Sequence, residues 1–424
     1  MPDTNQHKSM SSEDRPLMIE PLAAINGIRL GTANARIRQR PGGASTKDRE
    51  DLVVVEIAEG ANTAAVFTRN AFCAAPVHVA RRHLDSASPR FLLINAGNAN
   101  AGTGEQGLLD AEICCKAVAQ QTRCPFEAVL PFSTGVIGEP LPVDRICAEL
   151  PRALQNLSPH GWEPAAKAIM TTDIVPKGVS QHVETPEGRF TITGIVKGSG
   201  MIRPDMATML AFIATDAAVA PHVLHHALGL AVDRSFHRIT VEGDTSTNDT
   251  CVLMATGGAG IPTIDRIEGD RYNVFQEGVI EVCQALAKSI IRDAEGASKF
   301  ITIQVQGGES EEECAQIAFC IAHSPLVKTA FFAGDPNWGR ILAAIGRAGL
   351  SELDITKVRI FMDEVCIVAS GGRAPGYTEE EGQRVMAAPE ITIRIELGRG
   401  AKSTIVWTCD LSYEYVRINA EYRT

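Results

Sequence analysis

The segment richest in chemistry is Lys197-Gly198-Ser199-Gly200-Met201-Ile202-Arg203-Pro204-Asp205-Met206-Ala207-Thr208, which runs into the apolar stretch Met209-Leu210-Ala211-Phe212-Ile213-Ala214. Small residues and a proline imply a tight, exposed bend, and the apolar stretch implies a buried strand. A threonine hydroxyl at such a strand edge, beside small Ala207, can attack the preceding carbonyl. The acyl group then shifts from nitrogen to oxygen, and hydrolysis of the ester frees Thr208 as a new N-terminus. Its α-amine, with a pKa of about 7.7–8.0, suits it as general base for its own hydroxyl. The residues alone also allow a plainer reading, in which Thr208 merely opens a strand.

The elements around this segment alternate. Strands are expected over 52–57, 91–94 and 190–196, a fully buried one over 209–215, and helices over 111–121 and 143–157, with Pro151 able to break the latter. A helix over 273–292 carries Phe275, Val279, Val282, Leu286 and Ile290 on one face, with Gly296 as its stop signal. The last third begins with a strand over 300–305 and a long helix over 309–330. Ile391, Ile393, Ile395 and Leu397 then alternate with polar residues, the period of a half-buried strand. Gly398-Arg399-Gly400 is placed to turn the chain back into 403–409. The expected fold is mixed α/β, a layered core with a C-terminal α+β unit.

Three motifs resemble sites and fail on spacing. Gly102-Thr103-Gly104-Glu105-Gln106-Gly107 satisfies G-x-G-x-x-G, but seven residues separate it from the strand expected over 91–94. A dinucleotide site needs the glycines directly after the strand, so a tight polar loop before a helix is the simpler reading. The stretch from Asp244 has Asp249 where a calcium loop needs glycine and Ala255 where it needs glutamate. His222 and His226 have the spacing of two zinc ligands without the accompanying glutamate, and read as surface histidines. No metal and no cofactor is expected.

The 424 residues are 45% hydrophobic and 21% charged, enough for a sizeable core, and the net charge is −11. Acidic balance with 5% aromatics disfavours a nucleic-acid binder and suits a small polar substrate. The eleven cysteines are odd in number and include no C-x-x-C, so reduced core thiols are expected. Residues 1–17 are polar, without the apolar run of a signal peptide, and read as a disordered tail. No apolar run reaches the 18 or more residues of a membrane span, and a cytoplasmic protein is expected.

Several stretches taken in order resemble the ornithine acetyltransferase family, the glutamate N-acetyltransferases of the cyclic arginine pathway. They are 95–101 (Asn-Ala-Gly-Asn-Ala-Asn-Ala), 133–138 (Ser-Thr-Gly-Val-Ile-Gly), 171–173 (Thr-Thr-Asp) and 197–210, followed by 240–249 (Thr-Val-Glu-Gly-Asp-Thr-Ser-Thr-Asn-Asp). Also similar are 293–299 (Asp-Ala-Glu-Gly-Ala-Ser-Lys), 334–340 (Gly-Asp-Pro-Asn-Trp-Gly-Arg) and 415–422 (Tyr-Val-Arg-Ile-Asn-Ala-Glu-Tyr). Asp205 departs from the asparagine more usual there, and leaves Ala207-Thr208 intact.

The resemblance implies roles. Thr208 becomes the nucleophile, exposed by self-cleavage after Ala207, as in N-terminal-nucleophile enzymes. Thr134 and Gly135 become the oxyanion hole, where each preset donor lowers the barrier by about 3–4 kcal/mol. Thr171, Lys197, Thr208, Glu295, Asn419 and Thr424 become the substrate-binding set, Lys197 suiting an α-carboxylate and Glu295 an ammonium. The chain then divides into the tail, an α chain over 18–207, a β-chain portion over 208–295 completing the core, and a C-terminal unit over 296–424. The implied reaction is ping-pong acetyl transfer from N2-acetylornithine to glutamate through an acetyl-threonine ester, with acetyl-CoA as a further donor in some members. The implied assembly is α2β2. Three rivals remain: a related aminopeptidase or amidase that passes its acyl group to water, an oxidoreductase on the 102–107 glycines, and a non-catalytic binding protein.

Overall fold

The computed structural model describes residues 21–37, 49–203 and 209–421. The expected tail, Ala207, Thr208 and Thr424 lie outside them. Strands β1 (Ile28–Ala33), β2 (Leu52–Ile57) and β3 (Asn62–Phe67) lead into α1 (Ala75–Ser86), β4 (Phe91–Asn98), α2 (Gly104–Thr122) and β5 (Val129–Val136). Next come α3 (Val143–Gln155), α4 (Trp162–Ala168), β6 (Lys177–Thr185), β7 (Gly188–Lys197) and β8 (Leu210–Thr215). These are followed by α5 (Pro221–Asp233), β9 (Thr250–Ala255) and α6 (Asp270–Arg292).

Two sheets stack. One has the order β1-β2-β4-β5 and the other β3-β9-β8-β7-β6. Between them Val53, Val55, Leu92, Ile94 and Phe132 of the first meet Ile195, Phe212, Val252 and Met254 of the second. Helices α2 and α3 cover the outer face of the first sheet through Cys114, Cys115, Val118, Ile146 and Leu150. Helices α5 and α6 cover the second. The result is four layers, helix–sheet–sheet–helix. All five residues of the α6 stripe are buried, at 0–1% exposure, each contributing about 1.5–3 kcal/mol of transfer free energy.

The remaining elements are β10 (Phe300–Gly308), α7 (Glu311–Ala322), α8 (Pro325–Ala333), α9 (Trp338–Gly346), β11 (Arg359–Met362), β12 (Val365–Ala369) and β13 (Gly372–Arg373). The chain then continues through α10 (Glu379–Met386), β14 (Glu390–Glu396), β15 (Lys402–Cys409) and α11 (Tyr413–Glu421). Their sheet, β13-β12-β11-β14-β10-β15, has its own core with α7 and α9, which is the expected C-terminal α+β unit.

Five sequence expectations need correction. The helix over 309–330 is two helices, α7 and α8. Ser324 accepts the Val327 amide and Pro325 takes the first helical position, a start signal that overrides apolar periodicity. The 398–400 turn does not make a hairpin: β10 lies between β14 and β15, parallel to the former and antiparallel to the latter. Pro151 sits inside α3 without ending it. It removes one backbone hydrogen bond, while buried Ile146, Leu150 and Ala153 hold the helix down on both sides. Helix α6 ends at Arg292 as expected, but the residue that caps it is Asp293 and not Gly296. The 102–107 glycines are not a loop throughout, since α2 starts at Gly104 and β4 reaches Asn98. The Asn100 amide donates to the Gly107 carbonyl at 2.9 Å and the Thr103 hydroxyl to Asn100 at 2.8 Å, which fills the helix opening a pyrophosphate would need.

The candidate active site

Strands β4 and β5 run parallel, and at their C-terminal ends Gly97 lies opposite Gly135. A Cβ at Gly135 would fall 2.2 Å from the Gly97 carbonyl carbon, and its φ is +135°, so only glycine fits. This close approach sets Thr134 and the Gly135 backbone at the end of the first sheet. Asn248 secures them. Its side-chain amide donates to the Ala99 carbonyl at 2.7 Å and the Ser133 carbonyl at 2.9 Å, joining the loop before β9 to both strands.

Lys197 closes β7, where it pairs with Leu210 at the start of β8. The segment carrying Ala207 and Thr208 therefore connects two hydrogen-bonded neighbours of the second sheet. Lys197 is buried, and its Nζ donates to Thr134 Oγ at 3.1 Å. A hydroxyl that accepts from an ammonium is polarised and still has its own proton to give. That is the property an oxyanion donor needs.

Beneath Lys197 lies a group that sequence reasoning missed. Lys177 Nζ sits 2.6 Å from both Asp173 and Asp293, all three side chains at 0% exposure. Asp173 Oδ1 also accepts the Gly198 amide at 2.8 Å and its Oδ2 the Thr171 amide at 2.8 Å. Burial opposes its ionisation. The charges of Lys177 and Lys197 and these hydrogen bonds outweigh burial, and hold Asp173 well below the usual carboxylate range. Burial likewise opposes charge on Lys177, and the two aspartates overcome it and raise its pKa. The triad fixes the loops 171–173 and 198–200 in relation to α6.

Glu295 lines the same cleft as Thr134. Its amide donates to the Ser199 carbonyl at 2.9 Å, and Asn419 Nδ2 of α11 donates to its carboxylate at 2.8 Å. Ser412, just ahead of α11, donates to the Gly296 carbonyl at 2.6 Å, so α11 closes this end of the cleft. A Cβ at Gly200 would lie 2.5–2.7 Å from the Glu295 carboxyl atoms, so the missing side chain is the space the carboxylate occupies.

Thr134, Gly135, Thr171, Lys197, Glu295 and Asn419 line one cleft of about 80 Å³, together with Ser246 and Asn248. At about 30 Å³ per water it holds a small acyl group or a few waters, so an amino-acid-sized substrate must extend toward its open side. A larger depression of about 690 Å³ lies between α3 and α4. Its Arg36, Arg49, Arg152 and Lys167 are offset by Glu50, Glu149 and Glu163, and none of these lines the cleft. Among the described residues no cluster of His, Cys, Asp and Glu could hold a metal ion, and no helix is long and apolar enough to cross a membrane. His226 of the histidine pair instead contacts the Tyr272 hydroxyl at 2.6 Å. All eleven cysteines are free thiols.

The model of the ArgJ family matches residues 33–424. The arginine biosynthesis bifunctional protein ArgJ of Pseudomonas fluorescens is 54% identical over 403 residues, 95% of this chain and 98% of that one. That of Methylococcus capsulatus is 56% identical over 415 residues, 98% of this chain and 99% of that one. The crystal structure of the arginine biosynthesis bifunctional protein argJ from Bacillus halodurans is 38% identical, with a TM-score of 0.47, and covers 49% of this chain and 96% of that chain.

Proposed function

The chain belongs to the ArgJ family, and from that membership we propose that it moves an acetyl group from N2-acetylornithine to glutamate through an ester on Thr208. It is an acyltransferase of arginine biosynthesis. Cleavage between Ala207 and Thr208 comes first and supplies the α-amine. That amine takes the Thr208 hydroxyl proton as Oγ attacks the acetyl carbonyl, and the Thr134 hydroxyl and Gly135 amide receive the oxyanion. Ornithine leaves with a proton, and the glutamate amine then attacks the ester. Lys197 supports the oxyanion through Thr134 and attracts the α-carboxylate, and Glu295, held by Asn419, receives the ornithine side-chain ammonium. Thr171 and Thr424 complete the substrate contacts. The second activity of a bifunctional enzyme is here acetyl transfer from acetyl-CoA to glutamate. We assign the two cleaved chains to an α2β2 assembly in the cytoplasm.

The observation that carries this reading is the buried Lys197–Thr134 hydrogen bond, which lines one small cleft together with Glu295. Incubation with N2-acetylornithine, with and without glutamate, tests it. Acetylglutamate and ornithine should form together in equal amounts. Acetate released at the same rate whether or not glutamate is present would make the protein a hydrolase. Acetyl-CoA with glutamate tests the second activity separately.

Two substitutions probe the cleft. Thr134→Ala should lower kcat by about 10²–10³ with little change in KM for N2-acetylornithine, since its donor acts mainly in the transition state. An unchanged kcat in fully cleaved protein removes Thr134 from the mechanism. Gly200→Ala forces the Glu295 carboxylate out of its place. KM should rise about 10- to 100-fold, the scale of a lost hydrogen bond to a charged group, while Tm changes little. Unaltered KM would mean that Glu295 does not read the ammonium.

A further inference from the structure

The stretch from Asp244 does not fit a calcium loop, and two carboxyl groups of the segment 240–249, Glu242 and Asp249, have a different task. Glu242 Oε1 accepts the Ile202 amide at 2.7 Å. The Ile202 carbonyl accepts from Thr240 Oγ at 2.8 Å and from the Val241 amide at 3.0 Å. Seven positions along, Asp249 Oδ1 accepts the Met209 amide at 3.0 Å, and the Met209 carbonyl accepts the Thr250 amide at 3.1 Å. Ile202 and Met209 are also seven positions apart and both are buried, at 0% and 1% exposure. One loop therefore grips the backbone on both sides of the Ala207–Thr208 bond, with one carboxyl and one amide hydrogen bond at each grip.

We propose that Glu242 and Asp249 are positioning residues for self-cleavage, forming a two-point brace that fixes both ends of the segment to be cut. The inference rests on the reading above that Ala207–Thr208 is the cut bond. Attack by a hydroxyl on the carbonyl of its own peptide needs a near-attack geometry, and slack of about 1 Å can cost on the order of 10²-fold in rate. Free ends would sample many geometries. Ends held in a buried frame fix where the segment begins and where it ends.

The chemistry of the brace is that of two acceptors. Burial pushes the Glu242 carboxyl up to about 8 and the Asp249 carboxyl well above its usual range. Glu242 Oε2 is out of solvent with no hydrogen-bond partner among the described residues. Holding an amide N–H needs an oxygen at the right distance and no charge. The grip at Ile202 is itself anchored, because Thr240 Oγ donates to the Ile202 carbonyl and is 2.9 Å from His323 Nε2. Burial, with Arg203, Lys328 and Arg347 nearby, lowers His323 to about 4, so the ring is neutral and its Nε2–H donates to Thr240.

The test is a time course of cleavage of the newly made full-length chain, followed by the appearance of residues 208–424 on a denaturing gel. Glu242→Gln and Asp249→Asn keep the acceptor and should cut within about threefold of wild type. Glu242→Asp and Asp249→Glu keep the carboxyl but move the acceptor by one methylene, and Asp249→Ala removes it. Each of these three should cut at least tenfold more slowly. Melting temperatures in the uncleavable Thr208→Ala background separate positioning from a merely structural role, and should stay within a few degrees of each other. The proposal is overturned if the moved-acceptor variants cut at the wild-type rate. It is equally overturned if the amide variants are as slow as Asp249→Ala, or if slowing simply follows melting temperature. A wild-type chain that never cuts removes the cleavage reading itself, and the brace with it.

Discussion

Thr208→Ala should give a single uncut chain whose acetyl transfer falls by on the order of 10⁵–10⁶. The loss should exceed that for any residue lining the cleft, because the proposed mechanism uses the same oxygen in two steps. Without the hydroxyl the acyl shift cannot begin, so no α-amine appears. Without the α-amine and hydroxyl together there is neither general base nor nucleophile. Thr208→Ser keeps the hydroxyl and should cut and turn over, more slowly than wild type. Intact mass and N-terminal sequencing read the first half of the expectation, and acetylglutamate formation the second. Two fragments in the alanine variant would show that the cut is not made by Thr208, and an active uncut variant would show that transfer does not use it.

Lys177→Met should lower folding stability by about 3–5 kcal/mol, a fall in Tm on the order of 5–10 °C. The substitution preserves apolar bulk but leaves Asp173 and Asp293 facing each other at 0% side-chain exposure. Water cannot reach them to compensate. The pH dependence follows from the direction of each shift. Asp173 has a depressed folded pKa, so its contribution is present above about pH 4 and is lost as pH falls through the folded value. Lys177 has a raised one, so its contribution is present below about pH 10.4 and is lost as pH rises through the folded value. The wild type should therefore draw constant support from the triad between those limits. The variant should gain stability on acidification from neutral pH as its carboxyls take up protons. Urea unfolding across pH checks both parts. A difference under about 1 kcal/mol at pH 7 would mean that the triad orients loops without stabilising the fold.

Periodicity in the sequence reached the parts of the fold where one rule acts alone. The α6 stripe and the alternation of β14 each bury the residues their spacing assigns. It failed where a second rule intervened. Ser324-Pro325 restarts a helix whose apolar spacing continues through it. The neighbour of β14 and β15 is a strand some ninety residues earlier, which no local turn signal can announce. The cleft was legible only through the family resemblance. Thr134, Thr171, Lys197, Glu295 and Asn419 stand on five separate segments, and nothing in their spacing brings them together. Lys177 escaped for the opposite reason. Its spacing from Asp173, four residues, is that of an ordinary exposed pair, and only the arrival of Asp293 from α6 makes it a buried centre.

The order β3-β9-β8-β7-β6 has a consequence for the life history of the molecule. Strands β8 and β9 follow the proposed cut, and they lie between β3 and β7, which precede it. A cut molecule is therefore two interlocked pieces that can separate only by unfolding. Before the cut, a molecule that opens can find its way back as one chain, at a rate independent of concentration. Afterward the same recovery needs an encounter between two partners, each missing neighbours for its own strands. Maturation thus exchanges reversibility for a reactive amine. From then on, the lifetime of the enzyme is governed by the rate at which the sheet opens rather than by the equilibrium that first assembled it.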